Sequence, residues 1–148
     1  MSYIISPPEE TALQAHLHKL RTQLHEDPEL SWQEHRTTRL VRRELEALCL
    51  EPVPLGLPTG TAALLRGALP GPTVGLRADL DALPITERTG AEFSSRVPGV
   101  MHACGHDIHT AALLGAARLL AARREQLAGN VLFLFQPAEE AATGAMQV

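Results

Sequence analysis

Aromatic side chains are scarce in this chain of 148 residues: three Phe, one Trp and one Tyr make up 3% of it. The scarcity leaves no platform for stacking bases and predicts a core built from Leu, Ala and Val. Cysteine is nearly absent too. Cys49 and Cys104 make no disulfide framework, and a reducing compartment would keep Cys104 free as a thiolate. Positive charge is not in excess, since 13 Lys and Arg against 17 Asp and Glu leave a formal net charge of -4. That balance speaks against a basic nucleic-acid face. No apolar run is long enough to span a bilayer, and residues 1–10 lack the basic start and long apolar stretch of a secretory leader. Internal repeats and low-complexity segments are also missing. These absences predict one cytoplasmic domain with neither nucleic acid nor membrane as a partner, and a hydrophobic content of 45% is enough to build its core.

Ser6, followed by Pro7, Pro8, Glu9 and Glu10, predicts a helix start. Leu13, Leu17, Leu20 and Leu24 then recur at helical spacing, and Pro28 predicts the end near Asp27. Ser31 and Glu34 match the S-x-x-E capping box and predict a second helix that turns Leu40, Val41, Leu45 and Leu48 to the core. Cys49, at its apolar end, reads as a core residue. His16, His18, His25 and His35 read as surface or packing histidines, with His25 a partial exception because it ends its helix in His-Glu-Asp-Pro-Glu. Pro52, Pro54, Gly56 and Pro58 mark a connector. Residues 61–66 and 73–80 read as strands, which could pair as a hairpin across the turn-rich residues 67–72. Residues 85–100 have no period and read as a long loop of the kind that often carries function. Residues 107–124 are apolar on most sides and predict a largely buried helix. The apolar run at 131–135 predicts an interior parallel strand covered on both faces. Strand, helix and strand between residues 73 and 135 predict a right-handed crossover, and the whole pattern predicts an α/β fold with helices flanking a mixed, largely parallel sheet.

The chemistry concentrates at residues 101–109, where His102, Cys104, His106 and His109 fall together. Gly105 between Cys104 and His106 permits a tight turn, so that a thiolate and an imidazole can converge on one point. Glu139 and Glu140 follow the run at 131–135. Asp79 and Asp81 alternate with Arg77 and would share one face at the end of their strand. A salt-bridge cluster around Arg77 and a role in a site are evenly weighted for the two aspartates. Ligands of open α/β sheets bind beyond the carboxyl ends of the strands, and there these groups would meet. Adjacent glutamates outside a helix point in different directions, so one can bind a divalent ion while the other takes a proton from water that the ion has acidified. Hydrolysis of an amide is the natural reaction. Two rival explanations use fewer of these residues: Cys104 as a nucleophile with a histidine base leaves the carboxylates without work, and simple packing of His102, Cys104 and His106 leaves their clustering without a cause.

Four ordered stretches, LHEDPELS at 24–31, GLRADLDALP at 75–84, MHACGHDIHT at 101–110 and FQPAEE at 135–140, resemble successive signatures of a known family. These are the metal-dependent amidohydrolases typified by hippurate hydrolase, N-acyl-amino-acid amidohydrolase and the indole-acetyl-amino-acid hydrolases. The resemblance runs through essentially the whole chain. It implies part of the catalytic domain of a binuclear zinc-exopeptidase-like fold, with Cys104, His106 and Glu140 as metal ligands and Glu139 as general base. It further implies that Asp79 and Asp81 support the site and that His102 and Asp107 belong to its immediate surroundings. Two divalent ions per complete site are implied, zinc or manganese first, with cobalt or nickel also accommodated. The implied substrate is a small N-acyl amino acid, and the implied full-length members are homo-oligomers. Because such members are more than twice as long, the resemblance implies that residues 1–148 are the N-terminal part of the catalytic domain. Two further histidine ligands, a dimerisation domain and the rest of the catalytic domain would then lie outside it, and the strand at 131–135 would be left at an exposed sheet edge. The alternative is a catalytically silent piece that folds or binds metal.

Overall fold

The computed structural model describes residues 6–148, so residues 1–5 of the stretch searched for a leader lie outside the described residues. Helix α1 spans Pro7–Glu26. The backbone N–H of Ser6 donates to Glu9 Oε2 at 2.9 Å and ties down the first turn, while Asp27, before Pro28, ends the helix. Helix α2 spans His35–Ala47 and closes in a Schellman motif. The N–H of Cys49 donates to the Glu46 carbonyl at 2.9 Å, and that of Leu50 to the Leu45 carbonyl at 3.3 Å. Cys49 takes the left-handed position at φ 53 and is exposed, contrary to the core position expected of it. The same turn sends Leu50 inward to join Leu45 in the core. Helix α3 spans His106–Ala121.

The strands β1 (Glu51–Val53), β2 (Thr61–Arg66), β3 (Leu69–Asp79) and β4 (Ala128–Gln136) form one sheet in the order β1-β2-β4-β3. β2 and β3 are therefore not a hairpin, because β4 lies between them. It runs antiparallel to β2 and parallel to β3. The turn-rich segment expected between the hairpin strands instead wraps the start of β4: a Cβ on Gly129 would lie 2.0 Å from the Pro72 carbonyl oxygen. The most apolar strand takes the central place because burial there stabilises it most. The sheet is mixed but parallel only in its β3–β4 pairing, not in most of its pairings. β1 occupies what was expected to be a connector. Pro52 is tolerated there because the strand is at the sheet edge and one N–H can be spared.

Register places Ala63, Leu65, Ala78, Val131, Phe133 and Phe135 on one face, which joins the apolar residues of all three helices in a single core. Two of the few aromatic residues, Phe133 and Phe135, are fully buried at its centre, where Leu, Ala and Val alone had been expected. Leu132 and Leu134, on the opposite face, are only half-buried, so β4 is not covered on both sides by the described residues. Nor is β4 an edge; among the described residues the open edges run along β3 and β1. Residues 84–100 form neither helix nor strand. Leu83 and Met101 close the neck of this loop with two backbone hydrogen bonds of 3.0 Å, which returns the chain to the end of β3. No helix among the described residues is long and apolar enough to cross a membrane.

Truncating the buried ring at the sheet centre should be expensive. Phe133→Ala is expected to lower unfolding stability by about 3–5 kcal/mol in guanidinium titrations, whereas a loss within the ~0.5 kcal/mol typical of surface positions would contradict this core.

Candidate metal centre

Three segments meet beyond the carboxyl ends of β3 and β4: residues 80–82, residues 102–107 entering α3, and residues 137–140. Cys104 Sγ, a ring nitrogen of His106 and a carboxylate oxygen of Glu140 all lie within 4.8 Å of one another. Gly105, at φ 90, makes the left-handed step between the first two and places His106 as the first residue of α3. His106 Nδ1 is 3.0 Å from the backbone carbonyl of Asp81. A carbonyl can only accept, so Nδ1 carries a proton and Nε2 is the nitrogen available to a metal. The Glu139 carboxylate, half-exposed, lies 3.8 Å from that Nε2. A thiolate, an oriented imidazole and a carboxylate are a suitable donor set for a divalent ion.

Beneath these groups Asp81 has no exposed surface. Its Oδ2 accepts the Ser31 hydroxyl at 2.7 Å and the Glu140 backbone N–H at 2.9 Å, and its Oδ1 is 3.5 Å from His106 Nδ1. Burial raises the pKa of this carboxyl, but the neighbouring His106 imidazole and hydrogen bonds from Ser31 and Glu140 outweigh it and hold the group down at about 2. Asp81 first, and then Cys104, push His106 up to about 11. The pocket draws positive charge, and a metal ion held by a neutral imidazole would answer the same field. His102 differs. Burial pushes it down to about 4 against the pull of Asp107, and neither of its buried ring nitrogens has a protein partner.

The structure does not bring every expected residue to this point. The Asp79 carboxylate pairs with Arg77 at 2.8 Å on the sheet face away from the helices. Only its backbone carbonyl reaches α3, accepting the Thr110 hydroxyl at 3.0 Å. Asp79 and Asp81 thus do not share a face, because the alternation of β3 stops at Asp79 and the chain turns before Asp81. Asp107 lies just behind the centre, with Oδ2 2.9 Å from Arg21 Nε and 2.7 Å from His25 Nδ1. His25 Nε2 is 3.3 Å from Glu87, so a residue read chiefly as a packing histidine links α1 to α3 and to the long loop. Its position at a helix end was the one signal, since its partner is 82 residues away.

The S-x-x-E capping box is not formed. Ser31 is turned to Asp81, and Glu34, fully buried, accepts the Thr59 hydroxyl at 2.7 Å and the Ala138 N–H at 2.8 Å. Glu29 serves the start of α2 instead, accepting the N–H groups of Arg36 at 3.1 Å and Thr37 at 2.8 Å.

A family model described as peptidase family M20/M25/M40 matches residues 75–148. N-acetylcysteine deacetylase of Bacillus subtilis (strain 168) is 51% identical over 138 residues, which are 93% of this chain and 36% of that protein. N-acyl-L-amino acid amidohydrolase of Geobacillus stearothermophilus is 46% identical over 129 residues, 86% of this chain and 34% of that protein. The fold is similar, with a TM-score of 0.90 and 50% identity, to the crystal structure of the YXEP protein of Bacillus subtilis, described as a dinuclear metal binding peptidase from the M20 family. That match covers 93% of this chain and 39% of the other. The chain spans about a third of the length of these curated relatives.

The geometry makes the thiolate testable by itself. Cys104→Ala is expected to weaken zinc binding by more than the ~10–100-fold that losing a supporting hydrogen bond costs, measured by chelator competition. Equal affinity in the variant and the parent would remove Cys104 from the ligand set.

Proposed function

The chain belongs to peptidase family M20/M25/M40, and from that membership we propose that it supplies part of the active site of a metal-dependent hydrolase cleaving the amide bond of N-acyl amino acids. The observation that carries this function is the convergence of Cys104, His106 and Glu140 within 4.8 Å, with the Glu139 carboxylate beside His106. Cys104, His106 and Glu140 would hold an ion. Divalent ions, when bound, lower the pKa of water and polarise the scissile carbonyl. The Asp81 carbonyl keeps the His106 proton on Nδ1. Glu139 accepts a proton at its carboxylate from the attacking water and delivers it to the departing amine nitrogen. Asp107 steadies the first turn of α3 from behind, through Arg21 and His25.

Support for two ions comes from the dinuclear neighbour, and support for a small N-acyl amino acid from the relatives' names. The thiolate suits zinc, while carboxylates also admit manganese. A free Cys104 thiolate fits a reducing compartment such as the cytoplasm. Residues 1–148 on this basis form the N-terminal part of a catalytic domain, with the remaining ligands contributed by residues outside the part described. A second reading is a metal-binding but catalytically silent piece, since among the described residues the candidate ligands that cluster are Cys104, His106 and Glu140.

Hydrolysis of benzoyl-glycine and of N-acetyl-L-cysteine by the whole protein with added zinc or manganese distinguishes the two. Glu139→Ala is expected to lower turnover about 100- to 10,000-fold with zinc affinity retained. Undiminished turnover would remove Glu139 as the base. Zinc binding by the whole protein without turnover of either compound would favour the silent piece.

A further inference from the structure

Resting on the roles proposed for Glu139 and Glu140, we infer that Glu34 is a positioning residue that sets the turn carrying both of them. Its carboxylate has no exposed surface and is shared between two segments distant in sequence, with Oε2 on the Thr59 hydroxyl and Oε1 on the Ala138 N–H. Ala138 stands at φ 51, a left-handed conformation that a residue with a Cβ adopts only when its surroundings impose it. Both of its backbone groups are engaged. The N–H goes to Glu34, and the carbonyl accepts the Gly144 N–H at 3.0 Å. Two residues further on, the Glu140 N–H is held by Asp81. The peptide units around Glu139 are thus gripped on either side by two buried carboxylates, which leaves its half-exposed side chain directed at His106.

The segment that contains Glu34 is tied to the same region at two more points. Ser31 donates to Asp81, and the Trp32 indole N–H donates to Thr143 Oγ1 at 3.1 Å. Residues 31–34 therefore form a bracket under the turn after β4. Helix capping does not account for Glu34, because Glu29 already serves the N–H groups at the start of α2. A carboxylate offers both its oxygens as acceptors, and two donors meet it here. Glutamine can keep an oxygen on the Ala138 N–H while Thr59 reverses its hydroxyl to accept from the amide, so Glu34→Gln preserves the bracket. Leucine fills the volume and offers no acceptor. Aspartate retains the charge but withdraws it by one methylene from Ala138.

The test uses the full chain and needs no substrate. Amide hydrogen exchange at Ala138 and binding of cobalt(II), followed by its thiolate charge-transfer band, are compared in the parent, Glu34→Leu, Glu34→Asp and Glu34→Gln. In the Leu and Asp variants the Ala138 amide is expected to exchange fast while Phe133 stays protected, and cobalt affinity is expected to fall ~10–100-fold. Glu34→Gln is expected to restore both. If the Leu variant does not fold, the Asp variant decides. Parent-like exchange at Ala138 together with parent-like cobalt affinity in the folded Asp or Leu variant would overturn the inference. So would equal losses in the Gln variant with deprotection of Phe133, which would mean a general role in folding. In chains that turn over benzoyl-glycine, the Asp variant should lose kcat with KM unchanged. Absence of turnover in the whole protein would count against the proposed hydrolase and leave the exchange and cobalt results to decide on Glu34.

Discussion

A carboxylate sealed from solvent cannot keep its charge unless donors surround it, and Asp81 meets that requirement by drawing three parts of the chain to one point. Ser31 comes from the stretch before α2, the Glu140 N–H from the turn after β4, and His106 from the first turn of α3. The Ser31 hydroxyl and the Glu140 N–H satisfy Asp81 Oδ2 and are fixed by doing so, while the His106 ring lies 3.5 Å from Oδ1. The Asp81 backbone carbonyl orients the imidazole as well. One residue thus supplies both the charge beneath the centre and the tautomer of a candidate ligand, an arrangement commonly found behind metal-binding histidines.

Two more buried carboxylates repeat the device around it. Asp107 joins α1 to α3 through Arg21 and His25, and Glu34 joins the approach to α2 to the end of β4. The three acids lie beneath or behind the centre, whereas Glu139 and Glu140 stand more exposed above it. Burial separates their work. Acids without solvent hold backbone and side chains still, and acids with solvent access can meet an ion, a water molecule or a substrate.

Much of the architecture is legible in residue order. Leu13, Leu17, Leu20 and Leu24 mark α1, the apolar stretch after residue 107 marks α3, and the run at 131–135 marks β4, because burial of an apolar face is a local periodicity. The types of residue at the centre are legible too, since a thiol, imidazoles and adjacent carboxylates in short spacing are uncommon without a chemical reason. The exceptions have a shared cause. Ser31 and Glu34 match a local capping pattern, but buried partners at Asp81, Thr59 and Ala138 outweigh the few tenths to two kcal/mol that a cap is worth. Cys49 looks apolar in composition and is exposed because a helix C-terminus needs a left-handed residue there.

By itself the sequence determined the three helices, the strands β2, β3 and β4, and which residue types were available for metal chemistry, since all of these follow from neighbours a few positions apart. Tertiary structure alone decided that β4 would come between β2 and β3, that Asp79 would turn to Arg77 while Asp81 turned inward, and that His25 would meet Asp107. Strand order and the pairing of buried charges depend on contacts between residues far apart in the chain, and their free energy exists only once the core has brought those residues together.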